Sequence, residues 1–180
     1  MSTAESLRVS EPLRLVVMGV SGSGKSTIAA QVAGRLGITY VDGDDLHPAA
    51  NVAKMRSGTP LTDADRWPWL DKVAETLNAT AGEPGGIVVA CSALRGIYRD
   101  RLRTGTNNLA RFAFLDVPFE AIQARLAKRL HHFMPESLLR SQFETLERPG
   151  GNEGDVLTVS GDKTPEETVS AIVGWMSAKA

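Results

Sequence analysis

The chain has 180 residues, which corresponds to one compact domain with little left over for a second. Its 20 Lys and Arg nearly balance its 21 Asp and Glu, and the net charge of −1 excludes a general nucleic-acid-binding protein, which needs an excess of cations. The single cysteine, Cys91, excludes an intrachain disulfide and a multi-cysteine metal site. No apolar stretch approaches the roughly 18 residues of a membrane span. We therefore predict a cytoplasmic protein that binds neither nucleic acid nor membrane; its oligomeric state stays open, a homodimer included.

Short apolar runs alternate with stretches of helical period, which is typical of a parallel sheet covered on both faces. Residues 1–12 lack the apolar core of a secretory signal, so we predict a polar leader there and a single domain at 13–180. The predicted strands are Leu13–Met18, Thr39–Val41, Ile87–Ala90, Phe112–Leu115 and Val156–Val159. The predicted helices include Lys25–Leu36 with Gly37 as its C-cap, one that begins at Thr62, one that begins near Phe119, and one capped by Thr164.

A glycine-rich segment lies between the first predicted strand and the first predicted helix. Residues 19–26 read Gly-Val-Ser-Gly-Ser-Gly-Lys-Ser and satisfy the phosphate-binding pattern G-x-x-x-x-G-K-[ST]. Its backbone N–H groups can surround a β-phosphate, Lys25 can reach the β and γ oxygens, and the Ser26 hydroxyl suits Mg²⁺. We predict a three-layer α/β P-loop NTPase fold with a five-stranded parallel sheet. The predicted ATP-binding residues are Gly19, Ser21, Gly22, Ser23, Gly24, Lys25, Ser26 and Thr27.

Three carboxylates follow the second predicted strand, at the edge where open α/β sheets bind ligands. Asp42 and Asp44 alternate faces if the segment is extended, so one can support Mg²⁺ while the other accepts the proton of a hydroxyl group. We predict Asp42 as the metal residue and Asp44 as the catalytic base. His47, beside Pro48, is either a substrate residue or a surface turn, and Trp67 is either a pocket wall or ordinary packing.

The segments around this acidic turn resemble the gluconate kinases of the P-loop small-molecule kinase group. The resemblance rests on Asp42-Gly43-Asp44-x-Leu46-His47-Pro48, on Lys54-Met55 and Asp65-Arg66, on Cys91-Ser92-Ala93-Leu94, and on residues 142–147. It implies a nucleoside-monophosphate-kinase-like fold with a short lid, and transfer of the ATP γ-phosphate to D-gluconate, giving 6-phospho-D-gluconate for sugar-acid catabolism through the pentose phosphate or Entner-Doudoroff routes. It also implies that Lys54 and Arg66 bind the substrate and that residues 160–164 lie near the adenine ring.

Two basic clusters complete the predicted site. Arg95 and Arg99 are four residues apart, so one helix face can present them to the gluconate carboxylate, or simply to solvent. Many gluconate kinases have Lys where this chain has Arg95. Arg125 and Arg129 also share a helical face, and we predict that they stabilise the transferred phosphoryl group from a lid at about 126–140. Arg125 is predicted to contact ATP as well.

Two other interpretations fit part of these features. A shikimate-kinase-like enzyme would share the P-loop, the Asp-x-Asp pair and the lid arginines, although the 42–70 segment argues against it. A nucleotide-dependent switch would also share the P-loop. The sequence contains neither the Asn-Lys-x-Asp base-reading motif of GTPases nor the Leu-Ser-Gly-Gly-Gln motif of transporter ATPases.

Overall fold

A computed structural model of the chain describes residues 11–79, 85–129 and 135–179. The predicted leader lies outside these ranges except for Glu11 and Pro12, and so do residues 130–134 of the predicted lid. Among the described residues, no helix is long and apolar enough to cross a lipid bilayer.

Five parallel strands form one sheet, as predicted. They are β1 (Leu13–Met18), β2 (Thr39–Asp42), β3 (Gly86–Ala90), β4 (Arg111–Asp116) and β5 (Val156–Ser160), in the order β2-β3-β1-β4-β5. Asp42 is in register with Ala90, and Met18 with Phe114. The carboxyl ends of four adjacent strands therefore meet at one edge, where the loops that follow them gather.

Seven helices occur in the described part of the chain, together with a 3-10 turn at Gly43–Leu46. They are α1 (Lys25–Leu36), α2 (Ala49–Arg56), α3 (Asp63–Ala79), α4 (Gly96–Gly105), α5 (Phe119–Ala127), α6 (Glu136–Thr145) and α7 (Pro165–Lys179). The predicted caps are confirmed. Gly37 ends α1 in the left-handed conformation, while Thr62 with Asp65 and Thr164 with Glu167 form reciprocal capping boxes.

The sheet is covered on both faces because its strands are apolar on both sides. On one face, Leu15 and Val17 pack against Val32 of α1 and Ile172 of α7. On the other face, Val16 and Phe112 pack against α3 and α4. This is the predicted three-layer architecture.

A smaller apolar cluster joins the carboxyl edge of the sheet to α5 and α6. Val20, which follows β1, packs with Ile122 of α5 and Leu139 of α6, and all three side chains are buried. The helices on either side of residues 130–134 are thereby fixed next to the glycine-rich loop.

Candidate active site

The glycine-rich loop ends at the amino terminus of α1. Gly24 is the N-cap residue, and no side chain in the described part of the chain caps the helix. The first intrahelical bond runs from the N–H of Ile28 to the carbonyl of Gly24, so the N–H groups of Lys25, Ser26 and Thr27 have no backbone partner in the described part of the chain. Such a terminus concentrates positive charge and unsatisfied donors, which suits an anion.

Lys25 lies at this terminus. Its Nζ donates to the carbonyl of Val20 over 3.0 Å. Burial lowers the pKa of Lys25, whereas the nearby Asp44 and Asp42 oppose this effect. The ammonium therefore lies between the glycine-rich loop and the acidic turn, as its predicted role requires.

The acidic turn differs from the predicted extended segment. Asp42 is the last residue of β2, and the chain then enters the 3-10 turn, where Asp42 Oδ1 accepts a hydrogen bond from the N–H of Asp44 at 3.0 Å. Asp42 Oδ2 accepts a second one from the Ser26 hydroxyl at 3.3 Å. The backbone turns directly after Asp42, so the alternation of faces expected of an extended segment is wrong.

Two depressions meet around the start of α1. The first has a volume of about 400 Å³, and the second, of about 180 Å³, holds the acidic turn. Both depressions are lined by Gly24, Thr27 and Arg129, so they adjoin each other. The first is otherwise lined mainly by Ser23, Arg125, Ser160, Gly161 and Lys163, and the second by Ser21, Gly22, Lys25, Ser26, Asp42 and Asp44.

Asp44 faces the second depression, close to Lys25. Partial removal from water and repulsion by Asp42 raise the pKa of Asp44, and Lys25 lowers it by a smaller amount. A carboxylate with a raised pKa accepts a proton more readily than an ordinary surface Asp does. This is the electrostatic setting that a general base needs.

His47 is held against the core beneath the acidic turn. Its ring stacks on Trp69 with centroids 4.1 Å apart, and Asn51 Nδ2 lies 3.2 Å from its Nδ1. Burial and the charge of Arg66 lower the pKa of His47 to about 4, so the imidazole is neutral near pH 7. Because the Asn51 amide donates to Nδ1, the ring proton is assigned to Nε2.

A wall of charged and polar groups continues from His47 along α3 and α4. Arg66 Nη1 donates to the Tyr98 hydroxyl at 3.1 Å, and that hydroxyl donates to Asp63. Arg95 donates to Asp63 at 2.7 Å and to Glu147 at 2.9 Å. Arg95 is the N-cap residue of α4, so it does not share a helix face with Arg99 as predicted.

The predicted role of Arg99 as a carboxylate clamp is wrong. Its side chain is 1% exposed. Its Nε and Nη2 each donate to a carboxylate oxygen of Glu153 at 2.9 Å, and Nη1 donates to the carbonyls of Ala93 and Leu94. Every nitrogen of the guanidinium is therefore used inside the fold. Arg103 of the same helix also binds Glu153 and Asp155.

Other residues that we predicted near the substrate also contact side chains of the protein itself. Lys54 Nζ lies 2.7 Å from Asp65 Oδ2, so its charge is paired at the start of α3. Trp67 packs edge-on against Tyr98 and beneath Arg101, in a surface depression that the acidic turn does not line. Burial raises the pKa of the Cys91 thiol to about 12, so this cysteine is a packed thiol rather than a nucleophile.

One contact at the glycine-rich loop was not anticipated. Gln142 of α6 binds Ser21 through both ends of its amide group. The sequence offered Gln142 only as part of the 142–147 segment, because nothing in its spacing from Ser21 indicates contact. Among the described residues, no three His, Cys, Asp or Glu side chains are arranged to hold a metal ion by themselves.

The chain is similar to gluconokinases over most of its length. It is 46% identical to the gluconokinase of Gluconobacter oxydans over 169 residues, which cover 94% of each chain. It is 45% identical to the thermoresistant gluconokinase of Escherichia coli, with 88% of this chain and 90% of the relative covered. A gluconokinase structure from Sinorhizobium meliloti superposes with a TM-score of 0.83, at 41% identity and 94% coverage of each chain.

More distant comparisons agree on the fold. A family model described as an AAA domain matches residues 15–149. The APS kinase of Mycobacterium tuberculosis superposes with a TM-score of 0.69 at 20% identity, covering 93% of this chain and 98% of that one, which supports a shared P-loop kinase fold. Sequence identity, coverage and fold together place this chain in the gluconokinase family of P-loop kinases.

Proposed function

We propose that this protein transfers the γ-phosphoryl group of ATP to D-gluconate, giving 6-phospho-D-gluconate and ADP. The observation that carries the proposal is that the uncapped terminus of α1, with Lys25, faces Asp42 and Asp44 within one depression. An anion-binding terminus opposite a proton acceptor is the arrangement that phosphoryl transfer to a hydroxyl group requires. The proteins named gluconokinases that resemble this chain indicate the acceptor.

The nucleotide is assigned to the larger depression. The triphosphate would end at the N–H groups of Lys25, Ser26 and Thr27, and the base would lie toward Ser160, Gly161 and Lys163. The loop that would surround the phosphates is formed in part by Gly19, Gly22, Ser23 and Gly24. Arg125 and Arg129 line the same depression, where two guanidinium groups can stabilise the charge that develops on the phosphoryl oxygens.

Mg²⁺ is assigned to Ser26 and Asp42. Their oxygens lie 3.3 Å apart beside the uncapped terminus, and a hydroxyl with a carboxylate is a donor set that suits this hard cation. Few protein ligands are needed, because Mg²⁺ in kinases is held largely by phosphate oxygens and water. When bound, the ion neutralises charge on the β- and γ-phosphates.

Asp44 is proposed as the general base. The 6-hydroxyl oxygen of gluconate forms a bond to the γ-phosphorus, the bond from that phosphorus to the bridging oxygen of ADP breaks, and the hydroxyl proton passes to Asp44. Its raised pKa favours this transfer. The Lys25 ammonium would stabilise the negative charge that develops on the bridging oxygen as its bond to the γ-phosphorus breaks.

The gluconate carboxylate is assigned to the wall that contains Arg66 and Arg95. Arg66 uses Nη1 for Leu61 and Tyr98, and its guanidinium is partly exposed. Arg95 would exchange part of its pairing with Asp63 or Glu147 for the substrate. His47 keeps its predicted role as a substrate residue, in which its Nε2–H would donate to a hydroxyl of gluconate. Lys54 would reach gluconate only by leaving Asp65, so we rank it after Arg66.

The decisive experiment measures ADP release with ATP and a panel of acceptors. The panel contains D-gluconate, other aldonates, shikimate and nucleoside monophosphates. We expect turnover with D-gluconate far above the rate without acceptor, and a product that bears phosphate on the 6-position. Preference for shikimate would support the rival kinase, and slow hydrolysis unchanged by any acceptor would support a nucleotide-dependent switch. The cytoplasmic location and a homodimer stay predictions.

A further inference from the structure

Gln142 connects α6 to the glycine-rich loop through two hydrogen bonds to a single residue. Its Oε1 accepts from the backbone N–H of Ser21 at 2.6 Å. Its Nε2 donates to the Ser21 hydroxyl oxygen at 2.9 Å. The amide thus matches both a donor and an acceptor of Ser21, and the residues are 121 positions apart in the sequence.

The side chain of Gln142 is held by the packing of its own helix. Leu139, one turn earlier, is 1% exposed and packs with Val20, the residue before Ser21. Phe143 contacts Phe119 of α5 edge to face, with ring centroids 5.5 Å apart. The helix therefore has little freedom to move away from the loop, and the amide group of Gln142 is preorganised.

Ser21 immediately precedes the part of the loop that faces the phosphates. The next residue, Gly22, has a φ of +80°, and a side chain there would come within 2.9 Å of Ile122 in α5. The loop is thus confined by α5 at Gly22 and by α6 at Ser21. Because Gln142 occupies the Ser21 N–H, the donors left for an anion are those further along the loop.

We propose that Gln142 is a positioning residue for ATP, acting through Ser21 to hold the glycine-rich loop in its phosphate-binding shape. The proposal rests on the proposed function in assuming that this loop binds ATP. A preformed loop loses less conformational entropy when the triphosphate binds, so the side chain contributes affinity without touching the ligand. Loss of the two bonds should weaken ATP binding and misplace the γ-phosphate. The residues assigned to the gluconate carboxylate, Arg66 and Arg95, should keep their positions.

The test uses Gln142→Met in the full chain. Methionine has a similar length and remains compatible with a helix, but it forms neither bond. The ATP dissociation constant is measured by calorimetry in the absence of gluconate, and kcat and both KM values are measured in the coupled assay. We expect an ATP dissociation constant about tenfold larger, because two hydrogen bonds that hold the loop are lost, together with a lower kcat and a KM for gluconate changed less than twofold. The matched control replaces an exposed glutamine of α5, Gln123→Ala, and should leave all four values unchanged.

A double-mutant cycle with Ser21→Ala separates positioning from general damage to the fold. Ser21→Ala removes one of the two bonds and should weaken ATP binding by a smaller factor. In the Gln142→Met background it should have almost no further effect, since its partner is gone. Full additivity would mean that Ser21 and Gln142 affect ATP binding independently of each other, and it would overturn the proposal.

Three further results would test the role of Gln142. An unchanged ATP dissociation constant in Gln142→Met overturns the inference, and a rise confined to the KM for gluconate places Gln142 in the acceptor site instead. If Gln142→Met does not fold, Ser21→Ala alone must still weaken ATP binding. If the unmodified protein binds ATP but phosphorylates no gluconate, the proposed function fails, while the calorimetric comparison of the variants still tests Gln142.

Discussion

The indole Nε1 of Trp69 donates a hydrogen bond to the carbonyl oxygen of Gly43 at 2.8 Å, joining the core to the turn that carries Asp44. Gly43 is confined from the opposite side as well. A side chain at this position would lie 2.3 Å from the carbonyl oxygen of Ala90 in β3. The acidic turn is thus fixed between α3 and the sheet, and the position of the proposed base depends on a buried tryptophan.

Replacing Trp69 by phenylalanine should therefore reduce catalysis and stability together. Trp69→Phe leaves the buried carbonyl of Gly43 unpaired, which costs about 1–3 kcal/mol of unfolding free energy. Displacement of Asp44 should lower kcat by about tenfold, with a nearly unchanged KM for ATP. Urea denaturation and steady-state kinetics measure both effects. Trp175→Phe on α7 is the control, and an equal loss of kcat there would refute the positioning role of Trp69.

Removal of the Lys25 ammonium should abolish transfer. Lys25→Ala deletes the cation between the uncapped terminus of α1 and the acidic turn, and we expect kcat to fall by at least about a thousandfold because electrostatic stabilisation of the phosphoryl group dominates this chemistry. Lys72→Ala removes an exposed lysine of α3 and should behave like the unmodified protein. ADP release under saturating ATP is the measurement, and near-normal turnover of Lys25→Ala would contradict the proposed site.

Asp44 should set the acidic limb of the pH profile. A base must be deprotonated to act, so activity falls as the pH drops through its pKa, and the raised pKa of Asp44 places this limb above the ordinary aspartate value. Asp44→Asn should lower kcat by a factor of about a hundred or more, leave the ATP dissociation constant within about threefold, and remove the limb. Profiles of kcat/KM for gluconate between pH 4 and pH 9 test this. An identical limb in Asp44→Asn would assign it to another group.

The fold was predictable because its signals are local. Apolar runs identify all five strands within one residue at either end, and the pattern of residues 19–26 fixes the loop before α1. Caps such as Gly37 and Thr164 are set by residues only a few positions away. In each case the physical cause lies within one element or its immediate flank.

The parts that the sequence missed depend on partners far along the chain. The Arg99 side chain is chemically suited to bind gluconate, and only the approach of Glu153, which is 54 residues away, turns it inward. Gln142 and Ser21 are separated even further. The sequence around a charged residue on a predicted helix does not show whether its side chain binds a ligand or forms an ion pair inside the protein. The structure distinguishes them through burial and through the use of every guanidinium nitrogen.

The ion pair of Arg99 and Glu153 should govern stability in acid rather than substrate affinity. Hydrogen bonds from Arg99, together with Arg103, lower the pKa of Glu153 from 4.5 to about 2. A carboxyl group whose pKa is lower in the folded state stabilises the fold fully above its unfolded pKa, and this contribution disappears as the pH falls from about 4.5 to 2. The shift corresponds to about 3 kcal/mol. We therefore expect unfolding free energy to decline through this range.

Arg99→Ala tests that assignment directly. It leaves Glu153 partly buried beside Arg103 alone, which should cost about 3–5 kcal/mol at pH 7 and flatten the decline between pH 4.5 and 2. The KM for gluconate of the folded fraction should stay within about twofold, because the guanidinium points into the fold. Arg101→Ala on the same helix breaks an exposed pair with Asp71 and should cost less than about 1 kcal/mol. Urea titrations at several pH values measure these differences. A large rise in the KM for gluconate with unchanged stability would return Arg99 to the acceptor site.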